Sequence, residues 1–259
     1  MFRDPSVEGG MQATFRCGKT HLDQLVGKRV ASGQVARPGE FPWQVKLRSF
    51  GTVFCAGVLV HPRFVLTAAR CFRNNYNPQL WSVVLGDLDS GTKHIVHVDT
   101  IFIHGSFQID PYRNDVAVVK LVTYKRRDDF QLICLPEKHG NFSRLPCVLT
   151  GWGAVNRESF FSQTLQKQAV SILEPEDCGH HNSSLDPSLY LCASSQTGGG
   201  PCQGDTGGPI VCRTKMGTWE IAGLVYEEFG CQRYPPDRGL YTNIAAYAEW
   251  IEKMISKKL

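Results

Sequence analysis

Cys202-Gln203-Gly204-Asp205-Thr206-Gly207-Gly208-Pro209 sets three glycines and a proline around one carboxylate and one hydroxyl. Glycine and proline are the residues that mark turns between strands throughout this chain. On either side of this stretch the chain keeps one texture, in which short runs rich in Val, Ile and Leu are parted by Gly, Pro and Asn. Val53 to Val60, Trp81 to Leu85, Val116 to Leu121 and Ile221 to Val225 are the clearest runs, and their length and β-branched content predict strands. Ile244, Tyr247, Trp250, Ile251, Met254 and Ile255 recur instead at steps of three and four. That spacing predicts one amphipathic helix closing an otherwise all-β domain.

The 259 residues, with 42% hydrophobic content, 25 glycines and 14 prolines, suit a compact all-β unit rather than a disordered or fibrous chain. Net charge is only +4, and Lys125, Arg126 and Arg127 run directly into Asp128 and Asp129. Scattered basic residues of this kind read as solvated turns, so no nucleic-acid partner is expected. No apolar run reaches the roughly 18 residues needed to span a bilayer, and no membrane span is expected.

Ten cysteines without a C-x-x-C pair read as five disulfides rather than a zinc site, and they predict a secreted, extracellular protein. The opening MFRDPSVEGGMQATFRCGK lacks the apolar stretch of about 7 to 15 residues that a secretory signal carries. The cysteines decide the expectation, since ten thiols are a hazard in a reducing compartment. Residues 1–29 are polar, end on Lys28-Arg29 and read as a leader or propeptide ahead of a domain over 30–259. Sequons at Asn141-Phe142-Ser143 and Asn182-Ser183-Ser184 mark Asn141 and Asn182 as glycosylation candidates. No metal or other cofactor is expected, because His61, His104 and the pair His180-His181 have no partners at ligand spacing.

Several further motifs stand in a fixed order. Phe41-Pro42-Trp43-Gln44-Val45 precedes Cys55-Ala56-Gly57 and Val65-Leu66-Thr67-Ala68-Ala69-Arg70-Cys71; Asn114-Asp115-Val116-Ala117 and Cys147 to Gly153 follow, then the stretch over 202–209 and Gly239-Leu240-Tyr241-Thr242. From about Cys17 to Ile255 the chain resembles the chymotrypsin/trypsin-like serine proteases. The resemblance implies two packed six-stranded antiparallel β-barrels with a C-terminal helix and a site in the cleft between them. It also implies the pairing Cys17 with Cys134, Cys55 with Cys71, Cys147 with Cys212, Cys178 with Cys192, and Cys202 with Cys231. The first pair ties the leader to the body even after a cut behind Arg29.

Proteolysis by this machinery needs a nucleophilic hydroxyl, an imidazole base, a buried carboxylate and amides facing the oxyanion. The matching positions hold Thr206, Arg70 and Asp115, so the resemblance implies a pseudoprotease, a homologue that is not an enzyme. A guanidinium has five donors, no acceptor and a pKa above about 12; at neutral pH roughly one in a million or fewer can take a proton. Arg70 is instead expected to form a bidentate ion pair with Asp115. Thr206 keeps the hydroxyl but adds a methyl that stiffens its side chain.

Gly204 and Thr206 match the oxyanion-hole positions, an anion site even without chemistry. Asp205 matches the carboxylate that receives a new amino terminus, which cleavage after Arg29 would place at Val30. Gly200 and Gly239 match specificity-pocket positions, with Tyr226, Glu227 and Glu228 where the family usually has Ser-Trp-Gly. Glu228 is expected to crowd the pocket mouth; the two glutamates read equally as a rebuilt binding site or a solvated pair. Three readings follow: a non-catalytic homologue that binds an unidentified protein ligand, a weak endopeptidase using Thr206 with a base from Glu228 or a partner, and a folded product with little function of its own.

Overall fold

The computed structural model describes residues 16–20, 33–85, 94–110, 112–123, 130–138, 140–153, 162–178, 186–195, 200–202, 204–227 and 238–258. Fifteen strands lie among them: β1 (Gln34–Val35), β2 (Gln44–Ser49), β3 (Thr52–His61), β4 (Phe64–Thr67), β5 (Trp81–Leu85), β6 (His94–Ile103), β7 (Gln108–Ile109), β8 (Tyr112–Arg113), β9 (Ala117–Leu121), β10 (Cys147–Gly151), β11 (Gln166–Ile172), β12 (Tyr190–Ser194), β13 (Pro209–Arg213), β14 (Trp219–Glu227) and β15 (Arg238–Asn243). One α-helix, α1 (Ala248–Lys258), ends the chain.

β2, β3, β4, β9, β6 and β5 close in that order into a six-stranded barrel. β11, β10, β13, β14, β15 and β12 form the second, closed by the pairing of β12 with β11, and β1 adds to its outside on β11. All these pairings are antiparallel. Closure removes the unpaired backbone edges that would invite association. In β6 the period-two alternation is visible, with Val96 and Val98 buried and Ile95 and His97 exposed between them. Trp43, Leu47, Phe64, Leu66, Leu85 and Leu121 fill the first barrel, while Ile210, Cys212, Ala222 and Tyr241 lie in the core of the second.

The expected strands are present, with Val53 to Val60 inside β3 and Ile221 to Val225 inside β14. The expected helix begins as a 3-10 turn over Ile244–Tyr247 and becomes α-helical from Ala248. Ile244, Tyr247, Ile251 and Ile255 are buried along it, as their spacing required. Gly18 sits in the left-handed region at φ 65°, where a Cβ would meet the carbonyl of Trp219 at 2.4 Å and Cys134 Sγ at 2.9 Å. Only glycine lets this segment come so close. Its amide donates to Leu132 and its carbonyl accepts from Trp219, which docks residues 16–20 on the body.

Four disulfides join Cys17 to Cys134, Cys55 to Cys71, Cys147 to Cys212 and Cys178 to Cys192. Cys202 is disulfide-bonded as well, while Cys231 lies outside the described residues. Arg29, Val30, Asn182 and Glu228 also lie outside them.

The two barrels are joined by buried polar contacts that no local pattern announces. Lys167 Nζ donates to both carboxylate oxygens of Glu40, at 2.7 and 2.8 Å, and Arg37 N–H donates to the same carboxylate. Thr150 on β10 donates to Gln44 on β2 at 2.8 Å. Both links place second-barrel residues against the segment that enters the first barrel.

Candidate active site cleft

Each of the three matched positions is set by a different element. β4 ends at Thr67, and the chain turns through Ala68 into a 3-10 turn over Ala69–Phe72 that carries Arg70. The Cys55–Cys71 disulfide pins that turn to β3. Asp115 follows Asn114, whose φ of 51° lies in the left-handed region. Asparagine tolerates this conformation, and the turn is held by Asn114 Nδ2 donating to Ser106 and by Tyr247 O–H donating to Asn114 Oδ1. The loop bearing Thr206 presses on the first barrel, where Ala56 N–H donates to the Thr206 carbonyl at 2.9 Å. At Gly207, φ 75°, a Cβ would meet Thr67 Oγ1 at 2.4 Å, so glycine permits the approach.

Arg70 takes both oxygens of Asp115. Its backbone amide donates to Oδ1 at 2.7 Å and its Nε to Oδ2 at 2.5 Å. The Asp115 side chain has no exposed surface, and that of Arg70 keeps 15%. The contact is therefore real, but it is not the two-pronged guanidinium fork expected from sequence. The far end of the guanidinium is turned between two rings, with Cζ 3.8 Å from the Tyr112 centroid and 4.4 Å from that of Tyr226. With its carbon over both rings, the guanidinium reaches the carboxylate through Nε alone, and Nη2 is buried without a hydrogen-bond partner.

The clamp is itself braced. Tyr226 and Tyr190 hydroxyls both donate to the Tyr112 carbonyl, at 2.7 and 3.0 Å, and their rings meet edge to face at 5.0 Å. Burial pushes the Asp115 carboxyl upward, opposed by the Arg70 charge and by its hydrogen bonds. Burial likewise raises the Tyr190 and Tyr247 phenols.

Beside the pair lies a cleft of about 470 Å³, lined by Phe50, Phe54, Arg70, Arg73, Trp81, Tyr112 and Thr206 among others. Thr206 thus shares a wall with Arg70. Phe50 and Phe54 are 75% and 53% exposed, and Phe50 occupies a left-handed position, φ 49°, in the two-residue turn between β2 and β3. Arg73 donates to the Tyr112 hydroxyl at 2.5 Å.

The other matched positions fall nearby. Gly204 has a φ of 96°. Asp205 is buried, and its carboxylate accepts from Gly153 N–H at 2.8 Å and from Cys202 N–H at 3.0 Å. Gly200 has open space around it, whereas a Cβ at Gly239 would strike the Tyr241 hydroxyl. Glu227 ends β14 opposite Leu240. Among the described residues no three His, Cys, Asp or Glu are grouped as metal ligands would be. Tyr112, Tyr190, Arg73, Phe50 and Phe54 carried no signal in the sequence, since each gains its role only from a neighbour far along the chain.

Residues 30–251, nearly the whole domain, match the family described as Trypsin. The chain belongs to the trypsin family. Among its relatives, Transmembrane protease serine 9 of Rattus norvegicus is 35% identical over 232 residues, covering 88% of this chain and 22% of that protein. Transmembrane protease serine 11C of Mus musculus is 34% identical over 243 residues, covering 91% of this chain and 55% of that protein. The chain therefore spans well under two thirds of either relative. Among the described residues no helix is long and apolar enough to cross a membrane. Within the trypsin fold, the cleft of this chain is lined by Arg70 and Thr206, with the buried Asp115 bonded to the arginine and two tyrosine rings against it.

Proposed function

We propose that this trypsin-family chain does not hydrolyse peptide bonds and acts outside the cell by binding another protein. The observation that carries this reading is the Arg70–Asp115 pair clamped between Tyr112 and Tyr226. A permanently charged guanidinium has no lone pair with which to take a proton from Thr206, and its stacking holds it in place rather than leaving room for another base. Losing the base of such a unit typically costs on the order of a millionfold in turnover. Four disulfides among the described residues, with Cys202 disulfide-bonded as well, support an extracellular setting.

The cleft beside the pair supports binding. Its volume falls in the ordinary range for ligand sites, about 300–1,000 Å³, and its lining joins exposed aromatic rings to two arginines with no acidic side chain among the described residues. That chemistry fits a peptide segment carrying a carboxylate next to an apolar side chain. Panning a random-peptide display library on the full chain should enrich such segments, and Arg73→Glu should abolish the enrichment. A fluorophosphonate probe should leave the protein unlabelled; covalent labelling at Thr206 would overturn the non-catalytic reading.

The relatives' names favour a second reading, a weak endopeptidase using Thr206. The same probe separates the two. Cleavage after Arg29 belongs to either reading, and the Cys17–Cys134 bond would keep residues 1–29 attached.

A further inference from the structure

We infer that Asn141 carries an N-linked glycan whose first sugar covers the apolar part of a cleft on the second barrel, away from the Arg70 site. The inference rests on the reading that the chain matures in an oxidising secretory compartment, where both disulfides and such glycans are made.

The sequon is built into a defined turn. Phe142, its middle residue, is 3% exposed and packs with Leu149, Val170 and Tyr241 in the second-barrel core. Asn141 on one side of it is exposed. Ser143 N–H donates to Asn141 Oδ1 at 2.8 Å, and Leu145 N–H donates to the Phe142 carbonyl at 3.1 Å. With Oδ1 held by Ser143, the amide nitrogen Nδ2 is left as the side chain's open end, and it has no hydrogen-bond partner among the described residues. An attached sugar therefore displaces no native bond. The anchor at Phe142 keeps the attachment point in one place.

The second observation is what lies next to it. A cleft of about 410 Å³ opens beside Asn141; Leu173, Pro175, Pro187 and Leu191 form the apolar part of its wall, and Ser143, Glu174, Ser188 and Asn243 the polar part. It shares no lining residue with the cleft at Arg70. Apolar surface open to water is unfavourable, at about 25 cal/mol per Å². The acetamido methyl and the C–H face of N-acetylglucosamine, tethered at the rim, are placed to cover it. Asn243 Nδ2, also in the lining, donates to the Ser188 carbonyl at 2.9 Å, so that amide is already partnered.

The covalent step is a glycosyl transfer. The anomeric carbon of the sugar leaves a lipid-linked oligosaccharide pyrophosphate and bonds to Asn141 Nδ2; the pyrophosphate departs with the bonding pair, and the amide loses one proton to the transferring enzyme. No oxidant or reductant is consumed.

The test is to express the full chain behind a heterologous secretory signal in animal cells, collecting both the medium and the cell-associated protein. Enzymatic glycan release in ¹⁸O water should leave a labelled aspartate at position 141. Asn141→Gln and Ser143→Ala should each remove that mass signature, and Asn182→Gln should leave it. An unmodified Asn141 in disulfide-bonded protein from either fraction overturns the site. Enzymatic removal of the glycan from folded protein should also raise binding of an apolar fluorescent dye at least twofold; unchanged dye binding overturns the covering role. The fluorophosphonate experiment reads a different cleft, so failure here and failure of the functional reading are distinguishable.

Discussion

Replacing Asp115 by asparagine keeps the size and shape of the side chain and removes one charge from a pair that has almost no access to water. Breaking a buried ion pair from one side ordinarily costs about 3–5 kcal/mol, because the surviving charge is stranded. Here the stranded cation keeps its two aromatic faces at 3.8 and 4.4 Å, each contributing about 1–2 kcal/mol in a desolvated setting. The amide oxygen of asparagine still accepts from one donor. Burial of position 115 also favours an uncharged side chain, as the upward push on the Asp115 carboxyl records. The expected loss is therefore toward the lower end, about 2–4 kcal/mol. For a domain of this size that corresponds to a fall in Tm of roughly 5–15 °C. Circular dichroism melting with the disulfides intact measures it, and urea titration gives the free energy directly. Arg70→Met and the double variant complete a cycle, whose coupling should exceed about 1.5 kcal/mol for groups in direct contact. A fall in Tm of under about 2 °C, the behaviour of an exposed pair, would refute the view that the carboxylate is sealed beneath the tyrosine clamp.

Restoring the chemistry should take more than two substitutions: Arg70→His with Thr206→Ser should react slowly with a fluorophosphonate probe, and adding Tyr226→Ser should speed labelling at least tenfold, because the Tyr226 ring now covers residue 70; equal rates would show that the ring is no obstacle. Tyr190, Tyr241 and Tyr247 have phenols raised by burial, so three of the eight tyrosines should fail to ionise until the protein unfolds. A raised folded-state pKa means that stability from these groups is complete below the unfolded value of about 10 and declines above it; reversible titration of all eight in folded protein would contradict this. Lys167→Met should destabilise by about 3 kcal/mol by stranding Glu40, while Glu40→Gln with Lys167→Met should cost less than that single change; a double variant worse than the single one would mean that the pair acts as packing rather than as charge.

Local texture in the chain was enough for the strands, because short runs rich in β-branched residues between turn residues suit a buried barrel wall whatever they pack against, and Ile221 to Val225 is buried throughout. The terminal helix was legible locally as well, its buried residues recurring with the helical period. The chemistry of Arg70, Asp115 and Thr206 was legible too, since a guanidinium lacks an acceptor in any fold. The family match supplied the disulfide partners that spacing could not. What sequence did not contain was the shape of the site. Arg70, Tyr112 and Tyr226 come from a 3-10 turn, a two-residue strand and a strand of the second barrel, and nothing in their spacing says that the two rings face one guanidinium. The expected fork between Arg70 and Asp115 is replaced by the backbone amide and Nε, with the guanidinium carbon held against the two rings. Glu40 and Lys167, 127 residues apart, likewise read as ordinary surface charges until β1 and β11 bring them together. Periodicity and functional-group chemistry are properties of a segment and survive in the sequence, whereas the meeting of distant side chains depends on how two closed barrels pack, and only the tertiary structure decides that.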